Sequence, residues 1–243
     1  MTEKVDDIYS ERLERVGNFV FDDKVAAVFD DMINRSVPGY ASIISSIGLL
    51  ARESVTVGSR CYDLGCSLGA ATLEIRRSVS HSDYTIVAVD SAPAMVEACK
   101  KKVALDQSEV AVEVVCDDVC NVELRDASLV VLNFTLQFIE PDARDELVKR
   151  VYRAMMPGGI LLLSEKLAFE DPQIASLLAD MHLQFKRANG YSELEISQKR
   201  NALEKVLIPE TLDAHKTRLR LAGFSSFELW FQCFNFASLV AVK

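Results

Sequence analysis

Between Gly58 and Glu165 the chain repeats one pattern: a short apolar run, a turn, then a longer segment of helical spacing. The apolar runs are SRCYDL (59–64), YTIVAVD (84–90), VAVEVVC (110–116), SLVVLNF (128–134) and GILLLSE (159–165). Runs of this length, rich in aliphatic and β-branched residues, read as strands buried on both faces. Helical stretches follow three of them: AATLEIRRSVS after the first, a segment near 92–105, and one from Pro141 to about Met155. Such alternation requires a parallel sheet covered on both sides, a doubly wound α/β fold. MPGG (156–159) reads as a turn into the fifth strand. The closing SSFELWFQ and FNFASLVAV, joined by a tight link, predict an antiparallel hairpin at a sheet edge. The sum is a mostly parallel, seven-stranded sheet.

The remainder is helical. Asp22 caps a helix over roughly 23–35 that stops at Pro38-Gly39, and Tyr40, Ile43, Ile44, Ile47 and Leu50 recur at helical spacing. Residues 171–222 read as helical almost throughout. At 243 residues the chain makes one enlarged domain. Its parts are a flexible start (1–16), a helical cover (17–57) and a core (58–243) with a helical insertion at about 171–222.

Charge narrows the partners. Twenty-seven Lys+Arg against 36 Asp+Glu give −9, which lacks the basic footprint of a nucleic-acid binder. No segment reaches the ~20 apolar residues that a membrane-spanning helix needs. The first residues, MTEKVDDIYSERLERV, are charged and unlike a signal peptide, so a cytoplasmic location is expected. The six cysteines form no C-x-x-C pair. A zinc site using Cys116 and Cys120 has no second ligand pair, so no metal is expected.

In an open α/β sheet, ligands bind beyond the carboxyl ends of the strands. Those ends carry Asp63-Leu64-Gly65-Cys66-Ser67-Leu68-Gly69, then Asp90, Asp118 and Asn133. Gly65 and Gly69 permit a tight turn and close ligand approach. Asp90 can accept both hydroxyls of a ribose, Asp118 lies where an adenine edge would sit, and Asn133 stands near the reacting centre. A dinucleotide motif would need glycine at 67 and 70, where Ser67 and Ala70 stand, and no phosphate-binding lysine follows the loop. Taken singly, the two glycines are ordinary turn residues, Asp63 and Asp118 turn or capping residues, Asp90 a helix cap and Asn133 a strand-end hydrogen bonder. As a set they suit a nucleoside ligand without phosphates, and they resemble the class I S-adenosylmethionine-dependent methyltransferases.

Longer motifs refine the resemblance. DLGCSLGAATL, RSVPGY (35–40), VLNFTLQF (131–138), FKRANGYSELEISQKR (185–200) and LWFQCFNFASLVA (229–241) together are similar to the bacterial carboxy-S-adenosyl-L-methionine synthase family, once described as tRNA uridine-5-oxyacetic acid methyltransferases. The resemblance runs from about residue 16 to the end. It implies conversion of S-adenosyl-L-methionine and prephenate to carboxy-S-adenosyl-L-methionine and phenylpyruvate. A separate tRNA carboxymethyltransferase would use the product on the wobble uridine. It implies a homodimer that does not itself bind tRNA. It also implies ligand contacts at Tyr40, Gly65, Cys66, Ser67, Asp90, Ser91, Asp118, Val119, Asn133 and Arg200. Asp117 departs from the pattern, standing where a glycine often precedes the acid. Arg200 is the residue expected to grip the new carboxylate, while Lys199 beside it reads as a solvated charge. Lys166, Lys186 and Arg187 are further candidate cations for prephenate. No protein general base is expected. A methyltransferase acting on a small molecule or tRNA, and a non-catalytic carrier of the adenosyl ligand, stay open as alternatives.

Overall fold

The computed structural model describes residues 4–243. Two helices, α1 (Asp23–Ser36) and α2 (Tyr40–Ser54), precede the sheet. Asp22 caps α1 by accepting from the amides of Lys24 and Val25, as its position in the sequence predicts. Then follow β1 (Ser59–Leu64), α3 (Ala70–Ser78), β2 (Tyr84–Asp90), α4 (Pro93–Leu105), β3 (Ala111–Cys116), β4 (Ala127–Asn133), α5 (Pro141–Ala154) and β5 (Met155–Ala168). The insertion holds α6 (Pro172–Ala188), α7 (Glu193–Leu203), a two-residue β6 (Glu210–Thr211) and α8 (Leu212–Ala222). The chain closes with β7 (Ser226–Cys233) and β8 (Phe236–Val242).

The main sheet runs β3-β2-β1-β4-β5-β8-β7, parallel through β5 and antiparallel at β8 and β7. The doubly wound α/β reading therefore holds, and β6 adds an eighth strand beside β5. Successive residues of a strand face opposite sides. Tyr62, Leu64, Val130 and Leu132 meet Leu147, Val148 and Val151 of α5 and Leu219 of α8 on one face. Cys61, Ile86, Leu129 and Val131 meet Ile43, Ile47 and Ala51 of α2 and Ile75 of α3 on the other. The apolar stripe starting at Tyr40 is thus the inner face of α2.

Three details depart from the sequence reading. β5 begins four residues early, because MPGG continues the strand: Gly158 N–H donates to Lys243 O at 2.8 Å and Lys243 N–H returns a bond to Gly159 O. The 171–222 segment is broken twice. Asn189 and Gly190 end α6, Gly190 at φ +85°, and the stretch around Pro209 straightens to form β6. Of the start expected to be flexible, residues 1–3 lie outside the described residues. Beyond them the segment is tethered. Asp6 is 2 % exposed, and Gln198 of α7 accepts from Leu13 N–H and donates to the carbonyls of Tyr9 and Glu11.

Candidate functional site

A cavity of about 510 Å³ opens over the carboxyl ends of β1, β2, β4 and β5, roofed by α1, α6 and α7. Its volume is that of a small-molecule site. On one side, the strand ends and the turns after them carry Asp63, Ser67, Asp90, Asp118 and Asn133. Gly65 has φ +85°, and a Cβ there would stand 2.2 Å from Thr135 Oγ1, so the turn admits only glycine. Ser67 takes the left-handed conformation that a glycine would take freely (φ +50°). Its amide donates to Asp90 Oδ2 and Ala92 N–H donates to Oδ1, both at 2.9 Å. Asp90 thus fixes the loop after β1 and still presents both oxygens. Burial pushes its carboxyl up, opposed by those two amides.

Asp63 is buried at the floor and accepts from the amide and hydroxyl of Thr72, at 3.0 and 2.6 Å. Desolvation raises it to about 6 against those bonds. It therefore pins α3 to β1, the turn-and-cap role. Asp118 accepts from Cys120 N–H at 2.8 Å, and Asp117 accepts from the backbone amide of Asp118 and the side-chain Nδ2 of Asn121. Asp117 thus closes by side-chain hydrogen bonds the turn where glycine was expected.

Asn133 ends β4 with its Oδ1 buried and without a hydrogen-bond partner among the described residues. Phe134 follows at φ +62°, unusual for a bulky residue, and is held by its amide bond to Ser164 O at 2.8 Å. An orphaned acceptor on the cavity wall suits a donor from a ligand, such as the ammonium of a methionyl group. Tyr40 reaches the cavity from the start of α2, its phenol shifted upward by desolvation and then by Asp63.

Tyr40, Gly65, Cys66, Ser67, Asp90, Ser91, Asp118, Val119 and Asn133 all line this cavity. Arg200 does not: it is exposed on α7. One residue is about 100° of helix, so Arg200 and Lys199 cannot face the same way. Lys199 takes the inner face, which corrects its reading as a solvated charge. It is 4 % exposed, with Asp6 Oδ2 at 3.2 Å and Ser36 Oγ at 3.0 Å. Tyr191 donates to the same Asp6 carboxylate, and its ring stacks under the Arg35 guanidinium. Ile196, Lys199 and Ala202 are buried at a spacing of three, the helical signal that identifies the inner face.

Of the other candidate cations, Lys166 and Lys186 line the cavity, whereas Arg187 is exposed and paired with Glu193. His182, absent from the sequence reading, lines it too. Its Nε2 lies 2.8 Å from Ser36 O and its ring packs edge-on against Phe236. Desolvation, then Lys186, pushes it down to about 3, so it is neutral.

Residues 62–159 match a methyltransferase domain family. Among solved structures, a putative O-methyltransferase from Nostoc punctiforme superposes with TM-score 0.63 at 16% identity, covering 91% of this chain and 59% of that one. A putative S-adenosyl-L-methionine-dependent methyltransferase from Methanococcus maripaludis gives 0.60 at 21% identity, covering 96% and 97%. These show the fold. Much nearer relatives are proteins named carboxy-S-adenosyl-L-methionine synthase. The one from Geobacter sp. (strain M21) is 58% identical over the whole of both chains, and that of Shewanella woodyi is 55% identical over the whole of both. That of Cronobacter sakazakii is 56% identical, covering 98% of this chain and 96% of its own. On that full-length kinship, the chain belongs to the carboxy-S-adenosyl-L-methionine synthase family, built on the class I methyltransferase fold.

Proposed function

We propose that this enzyme converts S-adenosyl-L-methionine and prephenate to carboxy-S-adenosyl-L-methionine and phenylpyruvate. The observation that carries the reading is the full-length match at more than half identity to relatives of that name. The cavity supports it, because it offers Asp90 to a ribose, Asn133 Oδ1, unpartnered among the described residues, to an ammonium, and Lys166 and Lys186 to carboxylates.

A sulfonium acidifies its attached methyl group. Prephenate loses carbon dioxide and hydroxide as its ring becomes aromatic. The hydroxide takes a methyl proton and leaves as water. The resulting ylide carbon forms a bond to carbon dioxide. Water is the only further product, and no side chain has to act as base. The protein's task is to hold both substrates and keep bulk water from the ylide. Aromatic side chains of Phe19, Phe21, Phe29, Phe134 and Phe236 line the cavity and serve that exclusion.

The product then serves a separate tRNA carboxymethyltransferase acting on wobble uridine. This protein works in the cytoplasm without touching tRNA, in keeping with its net charge of −9. Among the described residues no helix is long and apolar enough to cross a membrane. The enzyme is a homodimer in this reading. Ile174, Leu177 and Met181 form an exposed apolar stripe along α6, suited to a second copy. Arg200, also exposed, is then free to serve a neighbouring subunit's carboxylated ligand.

The test is incubation of the purified protein with S-adenosyl-L-methionine and prephenate, followed by mass spectrometry. A product heavier than S-adenosyl-L-methionine by one carbon dioxide supports the reading. Unchanged S-adenosyl-L-methionine with folded protein that binds it overturns the reading.

A further inference from the structure

Three lysines line the cavity from three elements: Lys166 from β5, Lys186 from α6 and Lys199 from α7. Lys199 has Asp6 as its partner. Lys166 and Lys186 have no carboxylate within 4 Å among the described residues, although Lys186 is 7 % exposed. Desolvation holds Lys186 down to about 7, and Lys199, Lys166 and Arg200 push in the same direction, so these cations feel one another. Desolvation lowers Lys166 as well. His182, one helical turn before Lys186, is neutral and brings no compensating charge.

Buried ammonium groups without counter-ions are costly to keep. Lys186 is buried and Lys166 half-buried, and two such cations on one wall call for anionic groups that arrive with a ligand. S-Adenosyl-L-methionine brings one carboxylate, on its methionyl chain. A second cation exceeds what that ligand needs, and a dicarboxylate can occupy both. Beside the lysines stand Phe134 and Phe236, an edge-to-face pair with centroids 5.9 Å apart, which give a ring an apolar wall. Resting on the reaction proposed above, we propose that Lys166 and Lys186 form the subsite for the second substrate, a ring-bearing dicarboxylate, and so set the enzyme's specificity for it.

The experiment compares wild type with Lys166→Met, Lys186→Met and Lys186→Arg. Methionine keeps length and apolar volume, so the variants should keep a thermal midpoint at or above wild type. The KM for prephenate should rise about tenfold to a hundredfold in each methionine variant. The Kd for S-adenosyl-L-methionine should stay within about twofold, and Lys186→Arg should recover part of the loss. An unchanged prephenate KM overturns the subsite. A matched loss of S-adenosyl-L-methionine affinity also overturns it, by assigning the lysines to the methionyl carboxylate. If wild type forms no carboxylated product, the proposed reaction fails separately. The subsite is then judged by calorimetry of phenylmalonate on protein saturated with S-adenosyl-L-methionine. Weaker binding to Lys186→Met than to wild type supports it, and equal binding overturns it.

Discussion

The two walls of the cavity are built on opposite principles. On the wall at the ends of β1 to β3, Asp63, Asp90 and Asp118 each accept hydrogen bonds from backbone amides. Each carboxylate thus has an architectural task and also lines the cavity. On the wall formed by β5, α6 and α7, Lys166 and Lys186 have no carboxylate partner among the described residues. The three carboxylates of the first wall are satisfied by protein donors, with Asn133 Oδ1 beside them left open, whereas two charges of the second are not balanced. A pre-satisfied wall gives affinity through order. An unsatisfied wall gives selectivity, because only a ligand of the right charge relieves it.

Substitutions can break or sharpen this contrast. The largest effect should come from Lys199→Ala, which leaves Asp6 buried beside Tyr191 without its cation. Removing one partner of a buried pair costs about 3–5 kcal/mol, read as a lower midpoint in urea. A loss below about 1 kcal/mol would mean that Lys199 belongs with the unsatisfied group.

Asp90→Ala comes next. It frees the Ser67 and Ala92 amides and, in the proposed reading, takes away two charge-assisted ribose contacts, each worth about 1.5–3 kcal/mol. Affinity for S-adenosyl-L-methionine should fall by at least about a hundredfold in calorimetry. Unchanged affinity would remove Asp90 from the ligand's reach.

Lys186→Met should act in the opposite direction and stabilise. Burial pushes the folded amine down to about 7, against 10.5 for a free lysine. Between those values the unfolded chain holds more protons, so stability rises with pH across the window. The lysine's penalty is complete below about pH 7 and gone above about 10.5. Lys166, Lys199, Arg200 and the neutral His182 surround the amine and keep that sign. The variant should gain on the order of 2–4 kcal/mol near pH 6 and little near pH 10. A gain independent of pH would trace to packing instead.

Arg200→Ala should shift the urea midpoint least, by no more than about 0.5 kcal/mol, since the residue is exposed. Its effect on ligands is the informative one. Affinity for the carboxylated product should drop by roughly 2–4 kcal/mol, with little change for S-adenosyl-L-methionine. Equal losses for both ligands would refute carboxylate recognition by this arginine.

The same contrast explains what could be read from sequence. The wall at the strand ends is local: Gly65 to Gly69 follow β1 and Asp90 closes β2, and both apolar runs are unmistakable. The cationic wall is assembled from β5, α6 and α7; Lys166 and Lys186 are candidates from sequence, but Lys199 there resembles a solvated charge. Lys199 and Arg200 are adjacent in sequence but face apart, and only the buried spacing of Ile196, Lys199 and Ala202 separates them. The tethered start escaped because its partners, Gln198 and Lys199, lie at the far end of the chain. The continuation of β5 through MPGG depends on pairing with Lys243, which no local propensity encodes.

The tether between Asp6 and Lys199 joins residues 193 apart in sequence. Contacts of such separation carry a large loop-closure cost and tend to form after local ones. The parallel strands β1, β4 and β5 sit in the deepest core, whereas α7 is held by the N-terminal segment and the rim of the cavity. Opening should therefore be graded, with the roof releasing while the sheet stays paired. Amides of α7 should exchange with deuterium well before those of β1 and β4. Occupancy of the lysine wall should slow exchange at α7 selectively. The docking of residues 6–13 onto α7 should thus be the last part of the fold to form and the first to open.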